Sequence, residues 1–121
     1  MANPTVYFLV TFNIHEGKLA AFEETAKVSA AATRKEPGAA GYEFYLSRDR
    51  KTYKLVETYR DAAAALAHMG SAVVKELVPK MLESASIASF EVYGDPGPEA
   101  RARLEAFGAA IYEFKQGLGR Q

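Results

Sequence analysis

One histidine stands out among the side chains of this 121-residue sequence that could carry out chemistry. His68 lies two residues before Gly70, at the end of an alanine-rich segment that follows Asp61. Histidine is the side chain whose protonation changes near neutral pH without help from its surroundings, so we predict that His68 acts as a general base. The alternative is that His68 is half exposed and only interacts favourably with the helix C-terminus.

A second polar candidate is Asn13, which ends a run of β-branched and aromatic residues. Its amide could donate a hydrogen bond to a substrate oxygen, or it could bond to its own backbone in a turn. Both interpretations stay open, and Asn13 is carried forward as the second candidate catalytic residue. We interpret His15, two residues later, as a surface residue.

Aromatic side chains are available to line an apolar site, because the sequence has seven tyrosines and seven phenylalanines. At strand and helix spacing most of them belong to a core or an interface, so only a subset can face a cavity. Phe8 and Phe22 are the stronger candidates, since they lie on the apolar faces of the first predicted strand and helix. The candidate substrate-binding residues are Phe8, Phe22, Tyr42, Phe44 and Tyr59.

Three glutamates, Glu43, Glu57 and Glu91, alternate with other residues in predicted strands and look like a carboxylate cluster. Paired carboxylates can serve as an acid and a base. We interpret these three instead as salt-bridge partners of Lys54, Arg60 or a second subunit.

Composition excludes several other classes of function. The sequence has no cysteine, which excludes disulfides and thiol catalysis, and its two histidines and scattered acids show no metal-ligand spacing. Fifteen basic residues balance fifteen acidic ones, so we expect no nucleic-acid partner. The N-terminus has no basic segment and the apolar run over 6–12 is too short to cross a membrane, so we expect a cytoplasmic protein without a membrane partner.

Hydrophobic periodicity predicts the elements that must position these residues. Pro37 ends the first helix, and Pro79 is expected to kink or end the segment that contains it. The predicted elements are a strand over 6–12, a helix over 18–35, strands over 42–46 and 53–59, a helix over 62–69, a helical segment over 71–82, a strand over 87–93 and a helix over 99–107.

This order, β-α-β-β-α-β with a C-terminal helix and arm, predicts a ferredoxin-like α+β fold. Right-handed crossovers give a four-stranded antiparallel sheet of order 4-1-3-2 with its helices on one face. We expect one domain over 1–121, with a core at about 5–94 and a C-terminal extension over 95–121. Because the first strand is apolar on both faces, we also expect a homodimer through the sheet face, with the C-terminal segment across the seam.

Short motifs in the middle of the chain resemble those of the antibiotic biosynthesis monooxygenase domain family. They are Glu36-Pro37-Gly38, Tyr42-Glu43, Glu57-x-Tyr59-x-Asp61 and Ala67-His68. The resemblance implies a dimeric α/β barrel and oxidation without metal, flavin or haem, and the family's Ala-His supports His68 as the base. The sequence departs from the family pattern at Tyr59, where tryptophan is commoner.

The resemblance therefore leads us to expect a cofactor-independent monooxygenase that oxidises a small phenolic, quinol or polyketide-like aromatic compound with dioxygen. His68 would deprotonate the substrate, Asn13 would orient it, and aromatic walls would exclude water. Two alternatives stay open: a non-catalytic dimeric ligand-binding or stress-response module, and a haem-binding or haem-degrading protein. The absence of tryptophan counts against the haem degraders, whose site uses one.

Overall fold

A computed structural model describes residues 3–118 of the chain. The order of helices and strands agrees with the predicted order through the fourth strand. The elements are β1 (Val6–Ile14), α1 (Leu19–Thr33), β2 (Ala39–Leu46), β3 (Thr52–Tyr59), α2 (Ala62–Met69), a π-helical segment (Val73–Leu77), α3 (Val78–Met81), β4 (Ala85–Tyr93), α4 (Pro98–Ala106) and β5 (Ala110–Tyr112).

The sheet has the order β2-β3-β1-β4-β5, and its first four strands are antiparallel neighbours. This confirms the predicted order 4-1-3-2 and the ferredoxin-like α+β fold. Strand β1 lies at the centre, where Phe8 stands opposite Glu57 of β3 and Val92 of β4.

The prediction of a purely antiparallel four-stranded sheet is wrong, because β5 pairs in parallel with β4. A parallel neighbour requires a crossover connection, and α4 supplies it. Gly108, with a φ of 99°, turns the chain back towards the sheet after α4. The pairing covers an edge of β4 that would otherwise expose unpaired backbone groups. Part of the predicted C-terminal arm is therefore a strand, and residues 119–121 of the extension lie outside the described residues.

Two clusters of buried side chains form the core between the sheet and the helices, which pack on one face as predicted. The first cluster joins Phe8 of β1 to Ala65 of α2 and Leu104 of α4. The second joins Phe12 of β1 to Phe22 of α1. The even-numbered residues at the centre of β1 therefore face the helices.

Four rings pack tightly beneath α1. The ring of Phe22 lies 5.1 Å from that of Phe12, 5.2 Å from that of Tyr53 and 6.1 Å from that of Phe44, between centroids. Edge-on and offset contacts at these distances stabilise aromatic pairs beyond their buried area. We refer to Phe12, Phe22, Phe44 and Tyr53 as the aromatic cluster.

A glycine brings the loop after α1 directly against α2. Asp61 caps the N-terminus of α2, because its side chain accepts a hydrogen bond of 2.9 Å from the backbone N–H of Ala64. A Cβ atom on Gly38 would lie 2.2 Å from the Cβ of Ala64, so only glycine permits this close approach. The approach places Glu36, two residues earlier, beside α2.

The expected disturbance around Pro79 takes the form of a π-helical segment. Residues Val73–Leu77 are π-helical and run without a break into α3, which contains Pro79. Because proline has no N–H, it removes one helical hydrogen bond from this run. Single π-helical turns occur frequently at functional sites. Val74 and Val78, in and after this segment, line the cavity described below.

The opposite face of the sheet carries the odd-numbered residues of β1. Leu9 stands directly opposite Val56 of β3 on this face. Tyr45 of β2 stands opposite Lys54 of β3, which stands opposite Thr11 of β1, so Tyr45 lies on the same face. Tyr45 is 56% exposed. Within residues 3–118, no helix has the length and apolar character needed to cross a bilayer.

Candidate active site

An apolar cavity of about 240 Å³ lies between the sheet and the helices α2 to α4. Most of its lining is aliphatic or aromatic, and its polar side chains are Tyr42, Glu57, His68 and Arg103. A small, mostly apolar cavity with a few convergent polar groups is the usual form of a ligand site. The lining residues are Phe8, Val10, Phe12, Tyr42, Leu55, Glu57, His68, Met69, Val74, Val78, Met81, Ile87, Phe90, Arg103, Leu104 and Phe107.

His68 is buried at the wall of this cavity, with only 3% of its surface exposed. The alternative interpretation of a half-exposed histidine is therefore wrong. Its Nδ1 lies 2.8 Å from Oε1 of Glu36, a distance at which the ring N–H donates to the carboxylate. That bond fixes the tautomer and leaves Nε2 as the nitrogen available to take a proton.

Glu57 faces the other ring nitrogen of His68. Its Oε1 lies 3.6 Å from Nε2 of His68 and also accepts a hydrogen bond from the Tyr59 hydroxyl. Burial raises the pKa of the Glu57 carboxyl above its usual range, and the charge of Glu36 adds to the rise. The charge of His68 and the hydrogen bond from Tyr59 lower the same pKa and oppose the rise. Glu57 therefore contacts His68 and Tyr59, and not the predicted partners Lys54 and Arg60.

Two tyrosine rings flank the imidazole of His68. The ring centroid of Tyr59 lies 5.2 Å from that of His68, and the centroid of Tyr42 lies 5.7 Å away. Burial raises the pKa of both phenols, and the negative charge of Glu57 raises them further. Both tyrosines therefore stay protonated and can donate hydrogen bonds, as Tyr42 does to Ser29 Oγ at 3.4 Å.

The five predicted substrate-binding residues fall into three positions. Phe8 and Tyr42 line the cavity together with His68. Tyr59 is fully buried behind them, against the rings of Phe8 and His68. The other two, Phe22 and Phe44, belong to the aromatic cluster and are not among the residues that line the cavity.

The structure does not bring Asn13 to this site. Phe12 points into the cavity, and the next residue of β1, Asn13, is exposed and stands opposite Thr52 and Ser86. Its predicted contact with a substrate oxygen stays a prediction.

Sequence reasoning missed Glu36 and Glu57 as members of the site. In the sequence, Glu36 appears only as the first residue of the Glu36-Pro37-Gly38 motif. Its contact with His68 depends on the close packing of Gly38 on α2. Glu57 carried a signal, because it alternates with Leu55 and Tyr59 and therefore shares their buried face of β3. A carboxylate in such a position requires a buried partner.

These groups form a connected set of ionisable side chains beside an apolar space, an arrangement that can transfer protons. His68 can accept a proton at Nε2, Glu36 stabilises the cation that results, and Glu57 can hold a proton above the usual range of a carboxyl. Across the described part of the chain, no three metal-ligating side chains come together to form a metal site.

Solved structures with this architecture include examples that cover between 78% and 98% of this chain. MupZ from Pseudomonas fluorescens is 29% identical over 98% of this chain and 96% of its own, with a TM-score of 0.83. Rv0793 from Mycobacterium tuberculosis is 23% identical over 78% of this chain and 97% of its own, with a TM-score of 0.69. SnoaB from Streptomyces nogalater, a cofactor-independent oxygenase, is 18% identical over 78% of this chain and 96% of its own, with a TM-score of 0.68. The last two show a shared fold alone.

A search of curated proteins gives no match to this sequence. The family described as Antibiotic biosynthesis monooxygenase matches residues 5–80, which run from β1 into α3. That range is more than half of the chain and contains Glu36, Glu57 and His68. The chain therefore belongs to the antibiotic biosynthesis monooxygenase family.

Proposed function

We propose that this protein is a cofactor-independent monooxygenase that oxidises a small phenolic, quinol or polyketide-like aromatic compound with dioxygen. The observation that carries the proposal is His68, buried at the wall of an apolar cavity with Nδ1 bound to Glu36. Membership of the family supports a monooxygenase-like activity. SnoaB, which shares this fold, is a cofactor-independent oxygenase, so the fold is compatible with oxidation without a cofactor.

The first step is removal of a proton from the substrate. A substrate hydroxyl in the cavity gives its proton to Nε2 of His68, and the carboxylate of Glu36 stabilises the imidazolium at Nδ1. Such a positioned base contributes about 10²- to 10⁴-fold to a rate. The substrate becomes an electron-rich anion.

The second step is the reaction of this anion with dioxygen. The anion passes an electron to dioxygen, and the two radicals combine to form a bond between oxygen and a substrate carbon that carries hydrogen. Cleavage of the O–O bond with loss of that hydrogen as a proton leaves a carbonyl in the product. The other oxygen atom leaves as water, so the substrate supplies all four electrons and the two protons that the water carries. The apolar lining keeps bulk water away from the reactive intermediates. Glu57, whose pKa is raised by burial, is suited to return a proton to the departing oxygen.

The test compares His68→Gln with His15→Gln, which changes the other histidine of the sequence at an exposed position. An oxygen electrode measures uptake with a panel of quinols, anthrones and dihydroxynaphthalenes. We expect His68→Gln to slow uptake by about 10²- to 10⁴-fold and His15→Gln to match the unmodified protein. Equal uptake by the two variants would remove His68 from the mechanism, and no uptake with any compound would contradict the proposal.

A second candidate function is an acid–base reaction that consumes no oxygen, such as an isomerisation. It is favoured by Glu57, because a buried carboxyl with a raised pKa beside a histidine can act as a general acid. Turnover of a substrate under strictly anaerobic conditions would support this candidate. Binding without turnover in either condition would instead support the non-catalytic ligand-binding module.

We also propose that two copies associate through the face of the sheet opposite the helices. The pairing of Leu9 with Val56 and the exposed ring of Tyr45 support an apolar interface there. Sedimentation at micromolar concentration should show a dimer, and a monomer would contradict the proposal.

A further inference from the structure

We propose that Arg103 binds a carboxylate of the substrate at the rim of the cavity, and that the substrate is therefore an aromatic acid with its ring inside. The proposal deepens the proposed function and rests on it for the aromatic substrate and for the orientation towards His68. The contact with Arg103 itself does not depend on the reaction that follows.

Helix α4 forms the side of the cavity that meets solvent. Arg103 and Phe107 both line the cavity and are also exposed to solvent. The side chain of Arg103 is 55% exposed, and Phe107 as a whole residue is 54% exposed. On the inner side of the same helix, Leu104 is buried against the core. A group bound to Arg103 can thus stay partly hydrated while the rest of the ligand enters the cavity.

The guanidinium of Arg103 has donors to spare for a ligand. Among the described residues that line the cavity, it is the only arginine or lysine side chain. Within residues 3–118 its one ion pair joins Nη2 to Oε2 of Glu99 at 3.0 Å, one turn away on the exposed side of α4. A guanidinium has five N–H donors and matches a carboxylate with two parallel hydrogen bonds. An exposed pair of this kind contributes little, so a ligand carboxylate can replace Glu99 at small cost.

The interior of the cavity does not suit a carboxylate in addition to the substrate anion of the proposed reaction, because the imidazolium of His68 is already paired with that anion. A carboxylate placed beside His68 would also face Glu57, which is buried, and would lose its hydration in an otherwise apolar space. The favourable position for a carboxylate is therefore the rim. Binding there directs the ring of the ligand inward, towards the nitrogen of His68 that accepts the proton.

A packed helix carries Arg103. The helix follows the family match over residues 5–80 in the chain. It is held against the core because Ala100 is fully buried and Leu104 packs in the first cluster. Arg103 is therefore presented to the cavity by a packed element.

The experiment measures binding of naphthalene-2-carboxylate and of naphthalene-2-carboxamide, its neutral isostere, by calorimetry at low ionic strength. We expect the unmodified protein to bind the carboxylate about ten-fold more tightly, the preference given by a hydrogen-bonded charged group. Arg103→Gln should lose this preference through weaker binding of the carboxylate alone. Arg101→Gln is the matched control, because it removes the same charge from the same helix outside the cavity, and should keep the preference.

A further variant tests the exchange of partners. Glu99→Gln leaves Arg103 without its competing carboxylate, so naphthalene-2-carboxylate should bind about two- to five-fold more tightly. An equal preference in Arg103→Gln and the unmodified protein, or no preference or no binding in the unmodified protein, would overturn the assignment. Binding requires no turnover, so failed oxygen uptake with an intact preference would contradict the proposed monooxygenase alone.

Discussion

The aromatic cluster and the cavity lie side by side on one face of the same sheet, but they are built on opposite plans. Beneath α1, Phe22 is fully buried and its ring contacts three other rings. Beneath α2 to α4, the buried side chains of Glu57 and His68 border a cavity of about 240 Å³. The first region is closely packed around Phe22, whereas the second leaves a space beside polar side chains, where the candidate site lies.

Each region contains a tyrosine that donates a hydrogen bond to a glutamate, and the two pairs show what burial changes. The Tyr53 hydroxyl lies 2.6 Å from Glu23 of α1, at the edge of the aromatic cluster, and partial burial with this bond raises the pKa of Tyr53 to about 12. The Tyr59 hydroxyl bonds to Glu57, which is 5% exposed and faces His68. The same residue types therefore form a part-buried contact in one place and a buried contact beside His68 in the other.

The largest expected effect is on stability, at the centre of the aromatic cluster. Replacing Phe22 with alanine should lower the free energy of unfolding by about 3–5 kcal/mol, because it opens a cavity in a fully packed region. Phe107→Ala is the control, since this ring lies at the rim of the existing cavity and is 54% exposed, and it should cost at most about 1 kcal/mol. Urea denaturation measures both, and equal losses would remove the distinction between the regions.

The sequence predicted the regular part of this architecture because its signals are local. Alternation in β1, the break at Pro37-Gly38 and the cap at Asp61 each act within a few residues, and together they give the strand order. His68 was predicted as a candidate because of its residue type and its place at the end of a short helix. The structure places His68 at the wall of the cavity, where it is buried, and its role stays a proposal.

The rest of the site depends on contacts between residues far apart in the chain. Glu36 and His68 are 32 residues apart, and their contact requires the glycine that lets the loop approach α2. The burial of Glu57 depends on which face of β3 meets the helices, and the sequence left that open. The parallel pairing of β5 was missed because Ala110–Tyr112 is a short strand of three residues, too short for periodicity to identify.

A smaller effect, on kcat/KM, is expected from a change at Glu36. It tests whether Glu36 positions His68 or only fills space beside it. Glu36→Gln keeps the size of the side chain but removes the charge that stabilises the imidazolium at Nδ1, so kcat/KM should fall by about ten- to a hundred-fold. Glu24→Gln changes an exposed residue of α1 in the same way and should leave kcat/KM unchanged. The comparison uses oxygen uptake with whichever quinol or anthrone proves active. If the two variants have equal kcat/KM, Glu36 does not position His68.

The smallest expected effect concerns the pH dependence of stability, and it tests the burial of Glu57 directly. Because the folded protein raises the pKa of this carboxyl above the ordinary value of 4.5, the folded state keeps a proton that the unfolded chain has already lost. The stability associated with that proton is fully present below pH 4.5 and declines as the pH rises through the raised value. Glu57→Gln cannot ionise, so its free energy of unfolding should improve relative to the unmodified protein as the pH rises from about 5 to 8. Glu43→Gln, in an exposed position of the neighbouring strand, shows what the loss of one charge does by itself. Urea denaturation across this pH range measures the free energy of unfolding of all three proteins. If the gain of Glu57→Gln over the unmodified protein shrinks or reverses as the pH rises, the carboxyl is better solvated than its neighbours indicate.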